Sequence, residues 1–349
     1  MSIFSSVDLG IDLGTSTVMI YAAGKGIVVR EPSVVALDKN TGQILQVGAA
    51  ARSMLGRTPG NVVAMRPLKD GIISDHEMTV RLLQALYKNA TKAGPFATKP
   101  RVVISVPSGV TEVEERSVIN AAIEAGARRV YLIEEPLAAA LGAGLELKGA
   151  KGHLVVDIGA GTTDIAVLSM NAVAVSSSLK IAGDFMDDLI VRYVRRQHGL
   201  AIGKTTAEDV KIRVGRVYPG MDEVRTQVKG RDIKTGMPRM IELTSTEITE
   251  VLRRPARQIA EEVIAVLEQA SPELVSDISE NGIVLTGGCS QMQGFAELLE
   301  ERTGVHCILA DDPNCCTALG CGKSLSWITS MTEGPINIAR KRAMKSAQY

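Results

Sequence analysis

Ile11-Asp12-Leu13-Gly14-Thr15-Ser16-Thr17 and Val156-Asp157-Ile158-Gly159-Ala160-Gly161-Thr162 are one pattern written twice, 145 residues apart. Each is an apolar strand carrying Asp, then an aliphatic residue, Gly, two small residues and Thr, and each runs into a second apolar strand. Two copies of one hairpin imply two related domains facing each other. The turns also have a chemistry. A phosphate chain needs backbone N–H groups at close range, and Gly, Ser and Thr permit an approach that bulky side chains block. The hydroxyls of Thr15, Ser16, Thr17, Thr162 and Thr163 add donors. Neither turn holds a lysine, so this is no Walker loop. Asp12 and Asp157 stand just before the turns, and two carboxylates near a triphosphate suit Mg2+, which keeps waters and takes one or two carboxylates plus phosphate oxygens. One such turn alone is weak, because hairpins favour these residues anyway; the match of two strengthens it.

The rest of the chain is compatible with a packed two-domain protein. Its 349 residues exceed one ordinary core. Hydrophobic residues make up 45% and charged residues 22%, a globular rather than a disordered profile. Lys+Arg and Asp+Glu both number 39, which gives no general attraction to nucleic acid. No apolar run approaches the roughly 18 residues of a membrane span, and the first ten residues lack the features of a signal peptide, so a cytosolic setting is expected. The five cysteines, Cys289, Cys307, Cys315, Cys316 and Cys321, lack paired zinc-ligand spacing and read as small buried thiols.

Apolar β-branched runs alternate with helical patterns, which predicts α/β layers. Strands are expected at 7–12, 18–23, 101–106, 130–133, 154–157, 165–169 and 283–286. Thr111 with Glu114 predicts a capping box at the start of a helix that Gly126 ends. Pro255 should kink or split the helical stretch 246–269. Glu134-Glu135-Pro136 follows a strand, where a carboxylate meets a ligand crevice; Glu135 is a candidate to polarise a water attacking a γ-phosphate. From spacing alone, though, both glutamates read as charges favourable near a helix N-terminus. Gly287-Gly288-Cys289-Ser290 is either a helix-entry turn or a backbone that passes flat against a planar base. Glu208 and Lys211, three apart on a helix, read by themselves as a surface ion pair.

Together these motifs carry a resemblance. D-L-G-I-D-L-G-T at 8–15, G-K-G-I-V-V-R-E-P-S-V-V-A at 24–36, R-P-L-K-D-G at 66–71, I-E-E-P-L-A-A-A at 133–140, D-I-G-A-G-T-T-D at 157–164, I-A-G-D at 181–184 and L-T-G-G at 285–288 resemble the MreB/Mbl family of bacterial actins, from about residue 7 to about 328. The resemblance implies an actin-like α/β fold: duplicated RNase H-like domains, each with a mainly five-stranded sheet and a smaller subdomain, and Mg-ATP in the cleft between. It divides the chain into 1–145, with a subdomain near 32–77, and 146–330, with a subdomain near 184–250. A helix at about 315–330 returns to the first half, and 331–349 is a tail.

Residue by residue, the resemblance implies phosphate contacts from Asp12, Gly14, Thr15, Ser16 and Thr17 and from Asp157, Gly159, Ala160, Gly161, Thr162 and Thr163. Asp12 and Asp157 serve Mg2+ through water. Glu135 and Thr162 position the hydrolytic water, which reverses the preference that spacing alone gave for Glu135. Gly183 and Asp184 form a connecting loop at the nucleotide, Glu208 and Lys211 contact ribose and adenine, and Gly287, Gly288, Cys289 and Ser290 lie on the purine side. The implied activity is a weak ATPase whose bound nucleotide controls polymerisation. The implied setting is homopolymeric filaments on the inner face of the cytoplasmic membrane that organise peptidoglycan synthesis and cell shape, with MreC, MreD and RodZ as partners. Phe96, flanked by Lys92, Lys99 and Arg101, and the N-terminal Ile3 and Phe4 are candidate membrane contacts. Departures from the family pattern are Ala160 for a usual glycine, Asp164 for Glu, Thr15-Ser16-Thr17 for Thr-Ala-Asn, and Cys289 for a third glycine. The competing readings are a non-polymerising actin-fold adaptor, a chaperone ATPase of the DnaK type, for which the peptide-binding domain is not seen, and a sugar kinase, for which no general base is identified.

Overall fold

The computed structural model describes residues 7–91, 99–220 and 222–326. Ile3, Phe4 and Phe96 lie outside the described residues. The chain forms two compact units. Of the described residues, one takes those up to Ala150, Leu168–Val173 and 314–326; the other takes those within Lys151–Val167 and Ala174–Pro313.

In the first unit, Leu9–Leu13, Thr17–Ala22 and Gly26–Pro32 form an antiparallel meander. Arg101–Val106 then pairs parallel to Leu9–Leu13, and Arg129–Glu134 pairs parallel to Arg101–Val106. These five strands make one sheet. The central strands are apolar on both faces, as a sheet covered on both sides requires: Leu9, Ile11, Ile20, Val102, Val103 and Ile104 are all fully buried. The helix Glu112–Glu124 begins at the expected capping box, with the Thr111 hydroxyl accepting from the Glu114 N–H and the Glu114 carboxylate accepting from the Thr111 N–H. A small three-stranded sheet, Ile44–Val47, Val35–Asp38 and Val62–Met65, lies beside the short helix Gly48–Met54. The helix Cys316–Ser324 belongs to this unit and packs by backbone approach: a Cβ on Gly142 would lie 1.7 Å from the Cys316 carbonyl oxygen, and one on Gly320 1.7 Å from that of Ala138.

The second unit repeats the plan. His153–Ile158, Thr163–Ser169 and Ala172–Leu179 stand in sequence order, then Ile283–Thr286 joins parallel to the first of them and Cys307–Leu309 parallel to Ile283–Thr286. The order of strands in this sheet matches the order in the first, so the duplication read from the two turns extends to whole sheets. A second small sheet, Leu200–Ala201, Arg225–Asp232 and Pro238–Thr244, accompanies the helix Lys204–Val214.

Of the kink or split expected at Pro255, the split does not occur: Ser245–Gln269 is continuous, and Pro255 is buried within it. The missing N–H removes one hydrogen bond. Against this stand a capping box of Thr244 with Glu247 and an apolar face, Ile248, Leu252, Ala256, Ile259, Ala260 and Val263, that is wholly buried. Tertiary burial outweighs a local helix breaker here. Of the five thiols, Cys307, Cys315, Cys316 and Cys321 are buried and Cys289 is intermediate; all are free.

Candidate functional site

Parallel strands bring their carboxyl ends to one edge of a sheet, and in open α/β sheets that edge is where ligands bind. In the first unit this edge gathers the turn after Leu13, the end of Arg101–Val106 and the end of Arg129–Glu134, through the registers Ile11 with Ile104 and Ile104 with Leu132. Asp12 and Glu135 therefore lie at the same edge. Glu135 is the first residue of the helix Glu135–Gly142, whose N-terminus also carries Pro136.

The first turn is held by its neighbours. Ser33 Oγ donates to the Gly14 carbonyl at 2.6 Å, the Ser33 N–H donates to the Ser16 carbonyl at 2.9 Å, and the Gly71 N–H donates to Thr15 Oγ1 at 2.9 Å. A Cβ on Gly14 would stand 2.7 Å from the Thr17 carbonyl oxygen, and one on Gly159 3.1 Å from that of Thr162. The same close approach thus shapes both turns.

The second unit converges further. Asp157 is buried, pairs in register with Thr286, and accepts from Thr286 Oγ1 at 3.1 Å through its Oδ1. Gly287 follows at φ +83° and ψ 160°, a conformation close to glycine-only, and a Cβ there would lie 2.5 Å from Asp157 Oδ1 and 2.5 Å from the Ile158 carbonyl oxygen. The diglycine turn is therefore pressed against the Asp157 strand. Gly288–Gln291 is a short 3-10 helix, in which Ser290 Oγ donates to the Gly287 carbonyl at 2.7 Å.

The turn at 159–163 is tied to the helix Gly183–His198. The Gly183 N–H donates to the Gly159 carbonyl at 3.1 Å, the Asp184 N–H to the Ala160 carbonyl at 2.8 Å, and Thr163 Oγ1 to the Ile181 carbonyl at 2.7 Å. A Cβ on Gly183 would meet Cys289 Sγ at 2.7 Å, Lys211 Nζ at 3.1 Å and Ala160 Cα at 3.3 Å. Four segments distant in sequence meet at that glycine. Lys211 is not a surface ion-pair residue, as spacing alone suggested: its side chain is 8% exposed, and Nζ contacts the Gly183 carbonyl at 2.9 Å and Asp187 Oδ1 at 2.8 Å.

Electrostatics follow from this burial. Burial pushes the Asp187 carboxyl up to about 6 although Lys211 opposes it, with Glu208 and Asp184 adding to the rise. Burial works against the Lys211 ammonium, but the acidic groups facing it, Cys289, Asp187 and Glu208, more than offset this and hold it above the ordinary lysine value. Burial raises the Cys289 thiol, with Lys211 opposing. Asp187 is absent from the motif reading. Its only local signal is its place one helical turn after Gly183; its partner Lys211 lies on another helix.

The fold defined by these units is actin-like. The structure of Spiroplasma citri MreB 5 bound to AMPPNP is 36% identical in sequence, with a TM-score of 0.88 over 94% of this chain and 98% of that one. The MamK double helical filament, 23% identical, shares the fold with a TM-score of 0.77 over 92% of this chain and 99% of that one. The profile of the MreB/Mbl protein family matches residues 6–333. The cell shape-determining protein MreB of Escherichia coli K12 is 49% identical over 328 residues, 93% of this chain and 94% of that protein. The cell shape-determining protein Mbl of Bacillus cereus is 49% identical over 315 residues, 90% of this chain and 94% of that protein. The chain belongs to the MreB/Mbl family.

Proposed function

We propose that the chain is an ATP-binding bacterial actin that assembles into filaments, hydrolyses ATP weakly, and organises cell-wall synthesis and cell shape at the inner face of the cytoplasmic membrane. The observation that carries this reading is the cluster in the second unit, where Ala160, Gly183, Lys211 and Cys289, assigned to the nucleotide by sequence resemblance, meet around one glycine. The relative solved with AMPPNP, and again with ADP, is 36% identical.

In this reading the N–H groups and hydroxyls of Gly14 to Thr17 and of Gly159 to Thr163 bind phosphate oxygens. Lys211 and Glu208 orient the ribose and adenine, and Gly287 to Ser290 line the purine side. Asp12 and Asp157 fit Mg2+ by donor chemistry, since both offer hard carboxylate oxygens, and Thr286 fixes the Asp157 carboxylate. When bound, the metal would neutralise phosphate charge. Glu135 and Thr162 hold the attacking water, and Glu135 takes up its proton.

Filament formation, contact with the membrane through Phe96, Ile3 and Phe4, and partners of the MreC, MreD and RodZ kind are supported by family membership and by the sequence. Sedimentation and electron microscopy of the purified protein with Mg-ATP, with and without anionic liposomes, test the reading. Filaments that require Mg-ATP are expected. Nucleotide binding with no assembly would support the adaptor reading instead, and no nucleotide binding in calorimetry would overturn both.

A further inference from the structure

The Lys211 ammonium is held by two contacts: it donates to the Gly183 carbonyl at 2.9 Å and forms an ion pair with Asp187 Oδ1 at 2.8 Å, with the Asp187 and Lys211 side chains only 5% and 8% exposed. Both acceptors come from the first turns of the helix Gly183–His198, where residues four apart share a face. That helix start is in turn bonded to the 159–163 turn through Gly159 and Ala160. A lysine head on a flexible four-carbon stem has no orientation of its own; here the Gly183 carbonyl and the Asp187 carboxylate fix where it sits. The connection runs from the phosphate turn through the start of this helix and Asp187 to Lys211 on the helix Lys204–Val214.

We propose that Asp187 is a positioning residue for nucleotide binding: it aims the Lys211 ammonium and ties the phosphate turn to the nucleoside side. This rests on the reading of Lys211 as a nucleotide contact. The groups that face the pair are Asp184 on the same helix as Asp187, Glu208 on the helix of Lys211, and Cys289 on the diglycine turn. Among them Asp187 loses its charge on mild acidification, since its carboxyl titrates at about 6. Above that pH the carboxylate holds Lys211; as pH falls through it, the hold weakens and ATP affinity falls with it.

The test is ATP affinity by calorimetry, at saturating Mg2+, from pH 8 to pH 5 for the parent and for Asp187→Asn. Asparagine keeps the shape and one acceptor oxygen and mimics the protonated acid. Both proteins meet the same titration of ATP itself, so the ratio of their affinities isolates Asp187. The parent should bind at least about tenfold tighter at pH 8, the least that breaking one buried ion pair should cost, and the two should converge below about pH 6. A merely structural role would give a constant ratio. Lys211→Met should show neither the pH dependence nor any further loss when Asp187→Asn is added, and it carries the test should Asp187→Asn alone fail to fold. A parent that binds no ATP would sink the nucleotide reading itself. A parent that binds ATP with the same affinity and pH profile as Asp187→Asn would overturn only the role given to Asp187.

Discussion

Replacing Gly287 by alanine tests the packing that brings the diglycine turn to Asp157. Two costs add. The backbone at φ +83° and ψ 160° is close to glycine-only, and a residue held in such a region costs about 1–3 kcal/mol. The new methyl would also lie 2.5 Å from Asp157 Oδ1, 2.5 Å from the Ile158 carbonyl oxygen and 2.6 Å from the Ile158 carbonyl carbon. Two of those three atoms are backbone at the end of the strand His153–Ile158 and cannot swing away as a side chain can, so overpacking adds about 1–3 kcal/mol. The sum is about 2–6 kcal/mol, a large share of the stability of an ordinary domain. Gly304→Ala is the control: it also has positive φ, at +72°, but nothing lies within 4 Å of its added Cβ, which leaves about 1–2 kcal/mol for the left-handed backbone alone. Urea titration followed by far-ultraviolet circular dichroism suits the comparison, because it reports directly on helices and strands. With a urea slope of about 2 kcal/mol per molar, the midpoint should fall by about 1–3 M for Gly287→Ala and by under about 1 M for the control. Equal midpoints for the two variants would refute the contact argument, and an unchanged midpoint for Gly287→Ala would refute the backbone argument as well.

Asp157→Ala should abolish Mg-dependent ATP binding or nearly so, since a methyl cannot oppose the metal charge; unchanged affinity and Mg2+ dependence in calorimetry would remove the residue from that role. Glu135→Ala should leave ATP bound but slow phosphate release about 10²-fold or more, with longer-lived filaments; hydrolysis at the parental rate would take Glu135 out of the mechanism. Phe96→Ser should reduce co-flotation of filaments with liposomes. One buried phenylalanine contributes only about 2 kcal/mol, so binding depends on many copies acting together. Equal flotation of variant and parent would exclude Phe96 as the anchor.

Some of this was readable before any coordinates, and the readable parts share a cause: they are set by residues close in sequence. The capping box of Thr111 and Glu114 involves neighbours three apart, and it forms as expected. The two Asp-x-Gly turns and the strands that flank them depend on a few consecutive residues, and the repeat of the pattern revealed a duplication that extends to the order of all five strands in each sheet. Local rules also misled where packing outweighed them. Pro255 reads as a kink or a split, and the split does not occur, because a buried apolar face exceeds the loss of one hydrogen bond. Glu208 and Lys211 read as an exposed ion pair, yet the lysine is buried against Gly183 and Asp187.

The sequence alone determined the family, the two-fold repeat, and the residue types available to meet a phosphate chain, since these are properties of motif and order. Only the tertiary structure decided that Gly287 must be glycine because the Asp157 strand lies against it, and that Gly183 is the point where Ala160, Lys211 and Cys289 meet. It alone also decided that Asp187 is the partner of Lys211. Those contacts join segments up to 130 residues apart, as in the approach of Gly287 to Asp157. The energy of such a contact depends on which backbones the fold brings within a few ångströms, and no local pattern along the chain encodes that distance.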